Sequence, residues 1–120
     1  MYIAVTSQNR RQITEHAGKC RKFWLYDIEA GAVAGKQLLE LPVQATLHAN
    51  HHELPAPLAG ITVLITGGMG AGLYHRLMQH GILPVITVEE SPDSAVTAFL
   101  NNDLERFSPV SSHNCHDPAH

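Results

Sequence analysis

The stretch that decides the fold runs from Ile61 to Thr87 and reads ITVLITGGMGAGLYHRLMQHGILPVIT. Its first six residues are mostly apolar and β-branched, which is typical of a central strand covered on both faces. A glycine-rich turn follows, and then a helical segment that ends at Gly81, a residue suited to the left-handed cap of a helix. The next apolar segment, ILPVITV, contains Pro84, which favours an edge strand. The stretch therefore predicts a strand, a helix and a second strand.

The segments on the carboxyl-terminal side extend this alternation by one helix. SPDSAVTAFL begins with Ser91, a good N-cap, and Pro92, which suits the first helical position. The predicted apolar face of this helix is Ala95, Val96, Phe99 and Leu100. The predicted apolar face of the preceding helix is Leu73, Tyr74, Leu77 and Met78. Strand, helix, strand and helix in succession require a parallel pair of strands with a right-handed crossover.

The first half of the chain predicts three further strands. MYIAVTS is a short buried strand, and KFWLYDIE and VAGKQLLELPV are the arms of a hairpin around a turn at EAGA, although KQLLEL also suits a helix. We therefore expect an α/β fold with a mixed sheet of about five strands and flanking helices. We expect one domain over residues 1–106, followed by a polar tail over residues 107–120 that contains His and Cys.

Composition excludes several classes of protein. The 120 residues carry 8 Lys and Arg against 11 Asp and Glu, a formal charge of −3, which argues against a nucleic-acid partner. No segment approaches the roughly 20 apolar residues that cross a bilayer, and the N-terminus does not resemble a signal peptide. We expect a cytoplasmic protein without a membrane partner. Two cysteines exclude a disulfide framework, although a single bridge between Cys20 and Cys115 stays open.

Histidine is the unusual residue, with 9 in the chain. Imidazole and thiolate ligands bind zinc, copper and iron–sulfur centres, and three groups of them stand out in the sequence. The groups are His16 with Cys20; His48 with His51 and His52; and His113 with Cys115 and His116. None has a complete zinc-finger spacing, so a closed site requires groups to converge in space. An alternative for the first group is a Cys20 nucleophile with His16 as its base.

The glycine turn, TGGMGAG, lies between a predicted strand and a helix, where backbone amides favour anions. It does not complete the dinucleotide fingerprint, because the third glycine would fall at Leu73 or His75, and it has no P-loop lysine. Either the glycines only permit a tight turn, or their amides bind an anion or a cluster. A short basic patch at Lys19, Arg21 and Lys22 adds positive charge near His16.

Two segments together resemble the dinitrogenase iron–molybdenum cofactor biosynthesis family. They are SQNRRQITEHAGKCRKFWLYDIEAG and VLITGGMGAGLYHRLMQHGILPVIT, and the resemblance extends from Met1 to about Leu104. Members include nitrogenase accessory proteins that hold or deliver the cofactor, and related small proteins in organisms that do not fix nitrogen. The resemblance implies a ribonuclease H-like fold. The first strand, YIAVTS, lacks the carboxylate that nuclease chemistry would need.

The resemblance also implies non-catalytic binding of a metal–sulfur cluster that contains molybdenum, iron or both, or molybdenum with copper. His16, Gly18 and Cys20 match the family's first motif, in which Ala17 replaces the usual aromatic residue. The second motif is Gly67, Gly68, Met69 and Gly70. The expected metal ligands are His16 and Cys20, with the tail's His113, Cys115 and His116 as further candidates. A protein donor or acceptor of the cluster is the implied partner. The alternatives are an anion- or nucleotide-binding module that uses the turn Gly67–Gly72, and a divalent-metal binder that uses the tail.

Overall fold

The computed structural model describes residues 1–9, 11–14, 21–41 and 60–106. The elements in this part of the chain are β1 (Tyr2–Thr6), β2 (Lys22–Glu29), β3 (Ala32–Glu40), β4 (Val63–Thr66), α1 (Ala71–Gln79), β5 (Leu83–Ile86) and α2 (Pro92–Leu100). The histidine group at His48, His51 and His52 lies outside the described residues. So does the tail 107–120, and the proposed boundary at residue 106 stays a prediction.

The strands form one mixed sheet in the order β3-β2-β1-β4-β5. β1 pairs with β4 in parallel and β4 pairs with β5 in parallel, whereas β2 is antiparallel to both β1 and β3. The predicted α/β class and the five-stranded mixed sheet are confirmed. Pro84 lies in the edge strand β5, as expected, because an edge strand tolerates a residue without an N–H group. The ribonuclease H-like assignment is untested and stays a prediction.

Hydrophobic side chains fill both faces of the sheet, and β4 contributes to both. Val63 and Ile65 lie in one core cluster with Ala95 and Val96 of α2. Leu64 lies in the other cluster with Leu77 of α1, and Leu73 packs against it. The central, doubly covered position predicted for this strand is therefore confirmed. The predicted face of α2 is also confirmed, since Phe99 and Leu100 pack against the first cluster.

One member of the predicted face of α1 is wrong. Met78 is 53% exposed, whereas Leu77 is 1% exposed. α1 spans nine residues and rests on the sheet mainly through Leu73 and Leu77, which are one turn apart. Met78 lies about 100° further around the helix, so it points away from the narrow contact stripe.

The hairpin that joins β2 and β3 has a two-residue loop, Ala30 and Gly31, and both residues have positive φ, 55° and 79°. Positive φ at both central positions is the conformation of a type I′ turn, whose twist matches that of the flanking strands. The helical alternative for KQLLEL is wrong because these residues continue into β3, where Lys36 to Glu40 pair with β2.

The helix ends match the sequence signals. The Ser91 hydroxyl accepts a hydrogen bond from the Ser94 amide at 3.3 Å, and Pro92 is the first residue of α2. Gly81 follows α1 with φ of 78°. In the part of the chain described, neither helix has the length and apolar composition needed to span a membrane.

Candidate functional site

Three threonines mark the carboxyl ends of the parallel strands. Thr6 ends β1, Thr66 ends β4, and Thr87 directly follows β5. The carboxyl ends of parallel strands meet at one edge of the sheet, which is where ligands bind in open α/β folds. All three are buried, with exposed fractions of 0%, 0% and 2%. Buried hydroxyls need hydrogen-bond partners, and those partners define the site.

Thr6 and Thr66 share hydrogen bonds with the backbone of Thr14. The two hydroxyl oxygens are 2.9 Å apart, and they lie 3.0 and 2.9 Å from the Thr14 carbonyl oxygen. Each hydroxyl has one proton, so one ordering satisfies both: Thr6 donates to Thr66, and Thr66 donates to the carbonyl. The Thr14 amide in turn donates to the Thr6 carbonyl at 2.9 Å. The backbone at Thr14 is thus held against the ends of β1 and β4.

The glycine turn joins the same network. The Gly67 amide donates to the Thr14 carbonyl at 2.9 Å, and the Gly68 amide is 3.4 Å from the Thr66 hydroxyl. Thr14 precedes His16 by two residues. The first glycine of one sequence motif is therefore bonded directly to the chain that leads into the other motif.

The end of the glycine turn opens α1 without a side-chain cap. Gly70 is the N-cap residue, no side chain caps this helix, and its first turn contains no acidic residue. Gly70 has φ of −77°, and a methyl group there would meet no heavy atom within 4 Å beyond its chain neighbours. Neither backbone conformation nor packing requires glycine at this position. Its absent side chain leaves the first amides of α1 accessible to an anion.

Arg21 is the first described residue after the first motif, and it bonds to other residues of the sheet and its ends. Its amide donates to the Gln8 side-chain oxygen at 2.9 Å, and its Nε donates to the Leu41 carbonyl at 3.0 Å. Its guanidinium also lies 3.4 Å from a Glu40 carboxylate oxygen. Glu40 and Leu41 therefore hold the guanidinium of Arg21 in place, and its attraction for an anionic ligand stays a prediction.

The structure covers only part of the predicted site. Gly67, Gly68, Met69 and Gly70 lie between β4 and α1, and their role in binding stays a prediction. His16, Gly18 and Cys20 lie outside the described residues, as do His113, Cys115 and His116. Among residues 1–9, 11–14, 21–41 and 60–106, no three His, Cys, Asp or Glu side chains are placed to hold a metal ion. His75 and His80 are exposed on and after α1.

An acidic pocket of about 460 Å³ lies beside the end of β5. Its lining includes Thr87, Glu89, Glu90, Asp103 and Glu105. The Glu90 carbonyl accepts a hydrogen bond from the Ile13 amide at 2.9 Å, so the pocket adjoins the segment that carries Thr14. Four carboxylates oppose an anionic ligand there, which leaves the glycine turn as the better place for one.

Among the described residues, the titratable groups with clearly shifted pKa values lie near α2. The Tyr26 hydroxyl donates to Asp93 Oδ1 at 2.6 Å, and Lys36 Nζ donates to the same oxygen at 2.8 Å. Burial, and then the bond to Asp93, raise the pKa of Tyr26 far above its usual range. Hydrogen bonds from Lys36 and Tyr26 lower the pKa of Asp93. This cluster links the β2–β3 hairpin to α2, and so it contributes to the stability of the fold.

Sequence reasoning missed the threonines of this site. The signal that could have found them is a repeated strand ending: IAVT, VLIT and PVIT each run from apolar residues into a threonine. Thr14 has no comparable signal, because it contacts Thr6, Thr66 and Gly67 through its backbone, which every residue has.

Comparison with known proteins gives one consistent result. The family described as "Dinitrogenase iron-molybdenum cofactor" matches residues 1–102. An uncharacterized protein of Methanocaldococcus jannaschii is 28% identical over 109 residues, which cover 89% of this chain and 92% of that protein. The crystal structure of PH0822 superimposes with a TM-score of 0.73 at 24% identity, over 88% of this chain and 94% of that one. The apo form of the orange protein from Desulfovibrio gigas has a TM-score of 0.67 at 22% identity, over 89% and 92% of the two chains.

Proposed function

The chain belongs to the dinitrogenase iron-molybdenum cofactor family, and from this premise we propose that it binds and carries a metal–sulfur cluster without transforming it. The observation that carries the proposal is the 2.9 Å hydrogen bond from the Gly67 amide to the Thr14 carbonyl. This bond ties the glycine turn to the chain two residues before His16. It supports a single pocket built from both motifs.

The chemistry of the two motifs suits a cargo that must be released. In this proposal His16 supplies an imidazole ligand and Cys20 a thiolate. The amides from Met69 to Gly72, beyond the bonded amides of Gly67 and Gly68, face the anionic sulfides. Two protein ligands leave the rest of the metal's coordination to the cluster itself. Helix-terminal amides attract negative charge without forming a covalent bond. The cargo class is a cluster of molybdenum and iron, or of molybdenum and copper, which a donor or acceptor protein would exchange.

Anaerobic reconstitution tests this proposal. The protein is incubated with iron, sulfide and molybdate, or with copper and tetrathiomolybdate, and is then desalted for a visible spectrum and metal analysis. We expect visible absorption and stoichiometric metal in the wild type, and loss of both in His16→Ala because an imidazole ligand is removed. His75→Ala is the matched control, since His75 is exposed on α1, and it should bind as the wild type does. A colourless wild type, or equal binding by both variants, contradicts the proposal.

A second candidate is an anion- or nucleotide-binding module at the same turn. The observation that favours it is the uncapped start of α1, with no acidic residue in the first turn and open space at Gly70. Titration with inorganic phosphate or ADP separates the two candidates. The NMR amide resonances of residues 67–72 report binding of the anion. Saturable shifts in a protein that retains no cluster would favour the anion module.

The third candidate is a divalent-metal binder that uses the tail. A chain that ends after Val110 lacks His113, Cys115 and His116 but keeps both motifs. Undiminished cluster retention in this shortened chain assigns the binding to the motifs. Loss of zinc or copper binding with no effect on the cluster would give the tail a separate role.

A further inference from the structure

Gln8 contacts both ends of the segment that contains His16 and Cys20. Its backbone amide donates to the Thr14 hydroxyl at 2.6 Å, just before residues 15–20. Its side-chain oxygen accepts a hydrogen bond from the Arg21 amide at 2.9 Å, just after them. One exposed residue thus bonds to the residues on both sides of the first motif, Thr14 before it and Arg21 after it.

The backbone around Gln8 is itself held in place. The preceding residue, Ser7, donates its amide to the Lys22 carbonyl at 2.9 Å and its hydroxyl to the Gln12 carbonyl at 2.8 Å. On the other side, Asn9 accepts hydrogen bonds from the amides of Arg11 and Gln12 at 2.8 and 2.9 Å. Because the backbone at Gln8 is already fixed, only its side-chain torsions lose freedom when its oxygen accepts the hydrogen bond from Arg21.

The Arg21 amide has turned away from the sheet to reach Gln8. The Leu41 amide donates to the Arg21 carbonyl at 2.7 Å, as expected where β3 ends opposite β2. The reciprocal acceptor, the Leu41 carbonyl, bonds to the Arg21 side chain instead. The Arg21 amide therefore depends on Gln8, which lies just after the end of β1.

We propose that Gln8 is a positioning residue. Its two hydrogen bonds link Thr14 to Arg21, a link that we call the closure, and the link sets how His16 and Cys20 meet their cargo. It touches no cargo itself and acts through Thr14 and Arg21. The closure is argued from the two hydrogen bonds of Gln8 alone. The effect on the cargo rests on the proposed function.

Amide hydrogen exchange in the metal-free protein tests the closure. Gln8→Met keeps the length of the side chain but removes the acceptor, whereas Gln8→Glu keeps an acceptor. We expect exchange at the Arg21 amide to become about tenfold faster in Gln8→Met and to stay near the wild-type rate in Gln8→Glu. Gln12→Met, the same substitution at another exposed glutamine, should leave Arg21 unchanged. Equal exchange in Gln8→Met and the wild type would overturn the closure.

Release of copper and tetrathiomolybdate from the loaded protein to a chelator tests the effect on the cargo. Release should become several-fold faster in Gln8→Met and in Thr14→Val, which removes the other partner of Gln8, and stay at the wild-type rate in Gln8→Glu and Gln12→Met. Faster exchange with unchanged release overturns the positioning role. A wild type that retains no cluster overturns the proposed function and this second step, while the exchange data decide the closure independently.

Discussion

At the scale of single residues, the site depends on hydroxyl groups that are buried but fully used. Thr66 is the clearest case, since its hydroxyl lies within 2.9 Å of both the Thr6 hydroxyl and the Thr14 carbonyl. A buried polar group that loses its partner costs more than the bond itself contributed, because it has no access to water. Thr66 therefore couples the stability of the fold to the conformation of the chain at Thr14.

Replacing Thr66 with valine tests this coupling. Valine keeps the branched shape but removes the hydroxyl, which leaves the Thr6 hydroxyl and the Thr14 carbonyl with one contact fewer each. We expect the free energy of unfolding to fall by about 0.5–1.5 kcal/mol in urea titrations, because the Thr6 hydroxyl keeps the Thr14 carbonyl as its acceptor. Thr62→Val is the control, because Thr62 is exposed just before β4 and should change stability by less than about 0.5 kcal/mol. Equal losses in the two variants would show that the Thr66 hydroxyl contributes no specific stability.

At the scale of elements, the β2–β3 hairpin carries a local conflict. Its turn requires positive φ at both central residues, yet alanine occupies the first position with φ of 55°. An alanine side chain crowds the backbone in this conformation, whereas asparagine tolerates it and glycine has no side chain to clash. The pairing of β2 with β3 maintains the turn in spite of this residue.

Relieving the conflict should stabilise the protein. We expect Ala30→Asn to raise the free energy of unfolding by about 1 kcal/mol, since Asn-Gly suits this turn. Ala32→Asn, two residues later in extended and exposed backbone of β3, is the matched control and should be neutral or destabilising. Thermal and urea unfolding of the two variants provide the comparison. A gain at both positions would argue against relief of backbone crowding as the cause.

At the scale of the whole molecule, a polar cluster connects parts that are distant in the chain. Tyr26 of β2 is 2% exposed and donates to Asp93 of α2, 67 residues later. Lys36 of β3 bonds to the same carboxylate and lies 4.2 Å from the centre of the Trp24 ring. Two strands and a helix thus meet at one oxygen atom of Asp93.

This cluster predicts a loss of stability at alkaline pH. The folded state raises the pKa of Tyr26 above its usual value of 10.0, so its contribution is complete below pH 10 and is lost as the pH rises beyond that. The free energy of unfolding should fall by up to about 1.4 kcal/mol per pH unit on account of this one proton.

Urea titrations between pH 8 and 11 measure this slope. Tyr26→Phe should remove the contribution of Tyr26, because phenylalanine has no proton to lose. Tyr2→Phe serves as the control, since Tyr2 is 41% exposed, and it should keep the wild-type slope. If the slope of Tyr26→Phe equals that of the wild type, the titration of Tyr26 does not control alkaline stability.

The sequence by itself determined the sheet, the helix ends and the location of the glycine turn. Local physics is sufficient for these features: β-branched apolar runs favour strands, Ser91 and Pro92 start a helix, and Gly81 adopts positive φ. The exposure of Met78 and the strand conformation of KQLLEL needed the structure, because packing against neighbouring elements overrides local pattern.

Only the tertiary structure decided how the two motifs are connected. The bond joins the backbone amide of Gly67 to the backbone carbonyl of Thr14. Almost every residue has both groups, so no residue type in the sequence indicates this bond. The same holds for Gln8, whose role arises because the end of β1 lies between Thr14 and Arg21. The physical reason is that a hydrogen bond depends on position to within a fraction of an ångström, and position is set by the assembled sheet.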